Sequence, residues 1–167
     1  MNMHAVSDAT PLIRLSKIRK ISYLKKLFEK IFIPKEIYEE VVARGKELNK
    51  KEVVLIEELI KEEFIIIKEN SSKIKMPNLH AGELNALSLC NELKIRSLLI
   101  DDKEGYEAAE LIGLNPLRTT ALLLRLLDKK FIKFEEYKDS LLALSESGYF
   151  LRAETYERLL DAGRRGK

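Results

Sequence analysis

Carboxylates stand at Asp8, Glu40, Glu83 and the adjacent pair Asp101 and Asp102, each where the sequence predicts a strand to end or a helix to have just begun. In an open parallel α/β sheet, ligands collect just outside the carboxyl ends of the strands, so acids far apart in the chain can meet there. Two carboxylates about 4 Å apart repel by roughly 4 kcal/mol at an effective dielectric of about 20. A cluster of them therefore either takes up protons or holds a cation. Oxygen-only donors suit Mg²⁺ or Mn²⁺, whereas Zn²⁺ would ask for His and Cys, of which the chain has two and one. The chemistry open to such a site is the capture of a hard divalent cation.

Each acid also has a plainer reading. Asp8 ends the first predicted strand and precedes a helix with Thr10 as N-cap and Pro11 at its first position, so it either faces the crevice or supports the turn. Ser7 beside it is expected to bond a backbone group. Glu39 and Glu40 lie on the helix after Pro34, both some 130° from the centre of its apolar face at about 100° per residue. Periodicity does not choose between them, and a solvated helix surface competes for both. Glu83 begins the apolar stripe continued by Leu87 and Cys90, which points it inward, while its place in a first turn lets it serve the helix dipole instead. Gly82 before it permits close backbone approach. Asp101 and Asp102 follow a buried strand, and neighbouring strand side chains face opposite ways, so one could reach the crevice while the other caps the next helix. His4 is expected to pack and His80 to start a helix; two separate histidines do not make a zinc site.

The elements that must position these acids alternate. Strands are predicted at 4–7, 31–33, 64–67, 96–100 and 114–117, the longer ones nearly continuous apolar runs, as in strands covered on both faces. Two short amphipathic helices follow the first strand. The helix begun by Pro34 is expected to stop at Gly45, and a charge-rich helix to run over 49–62. Asn70-Ser71-Ser72 and Met76-Pro77-Asn78 mark a loop. Helices are expected at 119–129, 134–147 and 154–162, with a frayed basic tail over 163–167. The pattern predicts a doubly wound α/β domain in one unit, 1–162.

Composition agrees. With 167 residues and 46% hydrophobic content, one domain is the default. A net charge of +3 is too slight to demonstrate a polyanionic partner. The single cysteine, Cys90, excludes an internal disulfide framework and is expected in the core. No apolar run approaches a membrane span and no signal peptide opens the chain, so a cytoplasmic protein is expected. Charged residues at 34% with no Trp resemble hyperthermophile usage.

Val6-Ser7-Asp8-Ala9-Thr10-Pro11-Leu12-Ile13, Ile33-Pro34-Lys35-Glu36-Ile37-Tyr38-Glu39-Glu40-Val41, His80-Ala81-Gly82-Glu83 and Leu98-Leu99-Ile100-Asp101-Asp102 stand in an order that resembles the PIN domain. Within it, the chain is similar to a prokaryotic subfamily related to VapC-type toxins, from about residue 4 to 160, including the Thr119 region and Gly148-Tyr149-Phe150. The resemblance implies a three-layer α/β/α domain with a central parallel sheet of about four to five strands, and a Mg²⁺- or Mn²⁺-dependent ribonuclease. It implies Asp8, Glu40, Glu83, Asp101 and Asp102 as metal-binding acids, and prefers Glu40 to Glu39 because an apolar residue, Val41, follows. It leaves Asp101 and Asp102 unresolved, since typical members carry Thr-x-Asn/Asp at that strand end. Arg118-Thr119-Thr120-Ala121 replaces the usual Gly-Thr-Leu-Gly, losing two glycines and adding Arg118 as a charged contact. An RNA substrate, a small antitoxin partner and a homodimer are further implications.

In the resulting mechanism Thr119, at a helix N-terminus, orients water or a phosphate. Lys17, Arg19, Lys20, Lys25 and Lys26 hold the nucleic-acid backbone or simply form a solvated helix surface. The rival reading is a PIN scaffold with weak catalysis that acts by binding partners. A phosphoryl-transfer receiver lacks paired acids near Asp8, and a nucleotide-binding Rossmann domain lacks the glycine-rich loop after the first strand.

Overall fold

The computed structural model describes residues 3–71 and 73–166; Ser72 of the expected loop and Lys167 of the expected tail lie outside the described residues. Five strands form one sheet: β1 (His4–Ser7), β2 (Lys30–Pro34), β3 (Ile65–Lys68), β4 (Ser97–Leu99) and β5 (Asn115–Leu117). All pairings are parallel, in the order β3-β2-β1-β4-β5.

Alternation along the strands divides the core in two. Ala5, Ile31, Ile33 and Leu99 face a layer built from α1 (Ala9–Lys17), α4 (Val53–Lys61), α7 (Thr119–Asp128), α8 (Phe134–Glu146) and α9 (Ala153–Arg165). Val6, Leu98 and Ile100 face α5 (Ala81–Leu93) and α6 (Lys103–Leu111), where Leu87, Leu89, Cys90 and Ala109 are buried. The domain is therefore a three-layer α/β/α sandwich. Burying both faces explains why these strands are apolar throughout.

The strand order carries the functional consequence. From β1 the chain adds β2 and β3 on one side, then returns to lay β4 and β5 on the other. The reversal falls between β1 and β4, and the cleft outside their carboxyl ends is where doubly wound folds bind ligands. Asp8 directly follows β1, and its N–H donates to the Leu99 carbonyl at the end of β4 at 2.9 Å.

Local structure corrects several expectations. The first helix begins at Ala9 with Asp8, not Thr10, in the N-cap position. Pro11 is still tolerated because N–H groups in a first turn have no intrahelical partner. Gly45 does not stop its helix. A continuous helical stretch runs through α2 (Lys35–Tyr38), a π-helical turn (Glu39–Ala43) and α3 (Arg44–Glu47). The stop lies at Asn49, whose φ of 53° is left-handed, a conformation Asn tolerates at helix ends. Gly45 is instead a packing position: a Cβ there would stand 2.4 Å from Val53 Cγ2. The charge-rich helix starts at Val53, four residues later than the 49 expected. The tail is not free, since α9 continues to Arg165 and Gly163 is buried, its Cβ position 2.7 Å from the Tyr137 ring. Among the described residues no helix is long and apolar enough to cross a membrane.

Candidate active site

Asp8 is fixed at the end of β1 and only 7% exposed. Its carboxyl is pushed up to about 6, first by burial and then by the negative charges of Glu83, Glu40 and Asp101, with a hydrogen bond from the Ala9 backbone acting in the opposite direction. Four acids from four separate elements thus share one electrostatic environment.

Gly82 marks where two of them meet. A Cβ at this position would lie 3.6 Å from Asp8 Oδ1 and 3.7 Å from Glu40 Oε2. Glu40 reaches it from the π-helical turn, in which an added residue per turn shifts side chains off the regular 100° spacing. That shift separates the two neighbours that a regular helical wheel treats alike: Glu40 turns toward Asp8, while Glu39 lies in the field of Lys35.

Glu83 satisfies both of its sequence readings. It is 6% exposed on the inward side of α5, and its Oε2 accepts the His80 backbone N–H at 2.9 Å. Burial raises its pKa, as does the nearby Asp102, against the lowering effect of that N–H. Glu83 and Asp102 approach each other at Gly105, whose Cβ position is 3.5 Å from Glu83 Cγ and whose N–H donates to Asp102 Oδ2 at 2.9 Å. Asp102 is thereby the N-cap of α6.

Asp101 meets partners from two other helices. Thr119, the first residue of α7, donates its N–H to Asp101 Oδ1 at 2.8 Å and its hydroxyl to Oδ2 at 2.7 Å. Arg14 of α1 joins from the other side, its guanidinium 3.0 Å from Oδ2. Both donors of Thr119 are thus engaged by Asp101, and the lone pairs of its hydroxyl are what it has to offer a water. The Arg14 guanidinium stacks 4.1 Å from the centre of the Tyr149 ring, and Arg118 lies 4.5 Å over Tyr106 at the start of α7.

The remaining expectations resolve more simply. Ser7 donates to the Asp8 carbonyl at 2.8 Å. His4 meets Phe32 edge to face, with ring centres 5.7 Å apart. Cys90 is buried, its thiol pushed up to about 12 by desolvation. Of the basic residues, Lys20 and Lys25 are ion-paired with Glu136 and Glu62, and Lys26 lies over Phe131. Lys17, Arg19 and Lys25 line a separate hollow of about 610 Å³ between α1 and α4, with Glu52, Glu58 and Glu62 but none of Asp8, Glu40, Glu83, Asp101 or Asp102. A smaller groove of about 390 Å³ is lined by Lys17, Arg44 and Lys50 together with Glu40 and Glu52.

Hard, oxygen-donating side chains that repel one another suit a divalent cation on both chemistry and charge. Asp8, Glu40 and Glu83 are the residues that could hold one. Their closure is incomplete, because among the described residues no three His, Cys, Asp or Glu side chains form a ready cage. Arg14, Tyr106 and Tyr149 did not emerge as site residues from motif spacing. The available signal for Arg14 is only its basic charge on the helix that follows Asp8.

The acids gather at the switch point of the parallel sheet in a doubly wound, three-layer α/β/α domain. The family model of DUF3368, described as a PIN domain, matches residues 4–164, and the chain belongs to that family. PIN domains are commonly nucleases. Among solved structures, the chain is similar to a PilT N-terminus domain protein, SSO1118, from the hyperthermophilic archaeon Sulfolobus solfataricus P2. The two share 20% identity with a TM-score of 0.51, over 70% of this chain and 87% of that one. That likeness concerns the fold. No curated protein matches the chain.

Proposed function

We propose that this PIN domain is a Mg²⁺- or Mn²⁺-dependent ribonuclease hydrolysing RNA phosphodiester bonds. The observation that carries the reading is the position of Asp8 at the switch point, where burial first and then the charges of Glu83, Glu40 and Asp101 raise its pKa to about 6. Folding has gathered negative charge at the one place in the sheet built to receive a ligand, and a bound cation would relieve it.

Asp8, Glu40 and Glu83 would hold the ion. When bound, such an ion lowers the pKa of water and offsets charge on the phosphate oxygens. The chain's other residues shape the setting. Asp102 fixes the start of α6 next to Glu83, and Arg118, steadied over Tyr106, offers a guanidinium to an adjacent phosphate. The groove with Lys17, Arg44 and Lys50 gives a strand leaving Glu40 a cationic path. A cytoplasmic setting, a homodimer and a small antitoxin covering the acidic cleft complete the proposal on the side of location and partners.

Asp8→Asn tests it. The variant should fold, by circular dichroism, and lose Mn²⁺-stimulated cleavage of a mixed RNA panel by about 100-fold or more, as expected when a metal-holding group is removed. Undiminished cleavage would exclude Asp8 from the site. The second reading, a PIN scaffold acting through bound partners with weak catalysis, draws support from the incomplete closure of the acids. Mn²⁺ binding by the wild-type protein without cleavage of any RNA in the panel would favour it.

A further inference from the structure

The cleft contains a positive charge of its own. Arg14 comes from the helix that directly follows Asp8, and its guanidinium reaches across to Asp101 at the end of β4. The contact is built, not incidental. Asp101 has a side chain only 3% exposed, so whatever neutralises it must come from the protein or from an ion held in the cleft. Its two oxygens accept two hydrogen bonds from Thr119, the N–H on Oδ1 and the hydroxyl on Oδ2, and Oδ2 is also ion-paired with the Arg14 guanidinium at 3.0 Å. A carboxylate offers about four lone-pair directions. With a cation already beside it, the Asp101 charge exerts little net pull on a metal ion.

Arg14 is fixed as firmly as its partner. Its flat guanidinium lies 4.1 Å from the centre of the Tyr149 ring, and that ring is packed against the main core. Stacking of this kind stabilises the cation and holds it beside the carboxylate. Since a guanidinium keeps its charge at any accessible pH, the cleft carries this cation whether or not a metal is bound.

We propose that Arg14 is a positioning residue that occupies Asp101 in place of a second metal ion, so that the cleft takes a single divalent cation on Asp8, Glu40 and Glu83. The inference rests on the metal-dependent reading given above and adds to it the number of ions and the residue that sets that number. Asp101 then acts through Thr119 and Arg14 and not as a ligand.

The test counts ions and does not depend on turnover. Mn²⁺ is titrated into the full chain, with free Mn²⁺ read by electron paramagnetic resonance, for the wild type, Arg14→Met and Asp101→Asn, each checked for folding by circular dichroism. The wild type should take up one ion. Arg14→Met keeps an apolar stem over Tyr149 while freeing Asp101, and should take up two. Asp101→Asn should still take up one, which also secures the test if Arg14→Met does not fold. Two ions in the wild type, one in folded Arg14→Met, or none in Asp101→Asn would each overturn the proposal while leaving a metal-dependent nuclease intact. No ion in the wild type would instead remove the metal-dependent reading, and this inference with it.

Discussion

Asp8 shows at a single residue how the site strains the fold that makes it. Its carboxyl is held near 6, against about 3.9 for an unperturbed aspartate, because burial and three neighbouring acids disfavour the charged form. A group whose folded pKa is raised contributes stability below its unfolded pKa, and that contribution is lost as pH rises through the folded value. In the metal-free protein the loss falls between about pH 4 and 6, and a shift of about 2 units corresponds to roughly 3 kcal/mol at most. Asp8→Asn removes the charge. Chelator-treated Asp8→Asn should therefore be more stable than wild type at pH 7.5 and equal to it at pH 4, by urea melts at both values. A variant less stable at pH 7.5 would mean that Asp8 is compensated by something other than an absent cation. Because cation binding competes with the proton, Mn²⁺ affinity of the wild type should also weaken as pH falls below about 6.

At the scale of elements, the residues of the site were more legible than their orientation. Apolar runs ended by acids announced the strands, and parallel strands implied where the acids would collect. The choice between Glu39 and Glu40 was not open to periodicity, because a regular wheel sets both some 130° from the apolar centre, and the π-helical turn they occupy departs from that wheel. Gly45 read as a helix stop for a similar reason: glycine is both a terminator and a residue that permits close packing, and only the position of Val53 distinguishes the two. The distinction can be measured. Alanine in a helix interior gains about 1 kcal/mol over glycine, whereas overpacking costs typically 1–3 kcal/mol. Val53 is branched and buried on α4 beside Ile56 and Leu59, which leaves it little freedom to retreat from a new methyl group 2.4 Å away. Gly45→Ala should therefore lower stability by about 1–2 kcal/mol in urea unfolding. A stabilised variant would show that helix propensity decides at this position.

For the whole molecule, what the sequence could not disclose was the strand order. Five apolar segments of similar character do not indicate that β1 lies between β2 and β4. That order alone brings Asp8 next to Asp101, ninety-three positions along the chain, and sets the charge of α1, through Arg14, against the end of β4. Since Glu40 and Glu83 come from two further elements, one bound cation would tie together parts of the fold that covalent continuity leaves apart. Its effect should accordingly appear in global unfolding. A ligand that binds only the native state adds about 2.7 kcal/mol at 100 times its dissociation constant, and in a chain of this length each kcal/mol moves the melting temperature by about 2–4 °C. Saturating Mn²⁺ or Mg²⁺ at pH 7.5 should raise Tm by about 5–10 °C, reversibly with chelator, in a scanning calorimeter. Asp8→Asn should start from a higher metal-free Tm and show little further rise, because the repulsion and the attraction for the ion are lost with the same charge. An equal rise in Asp8→Asn would place the stabilising ion elsewhere on the molecule.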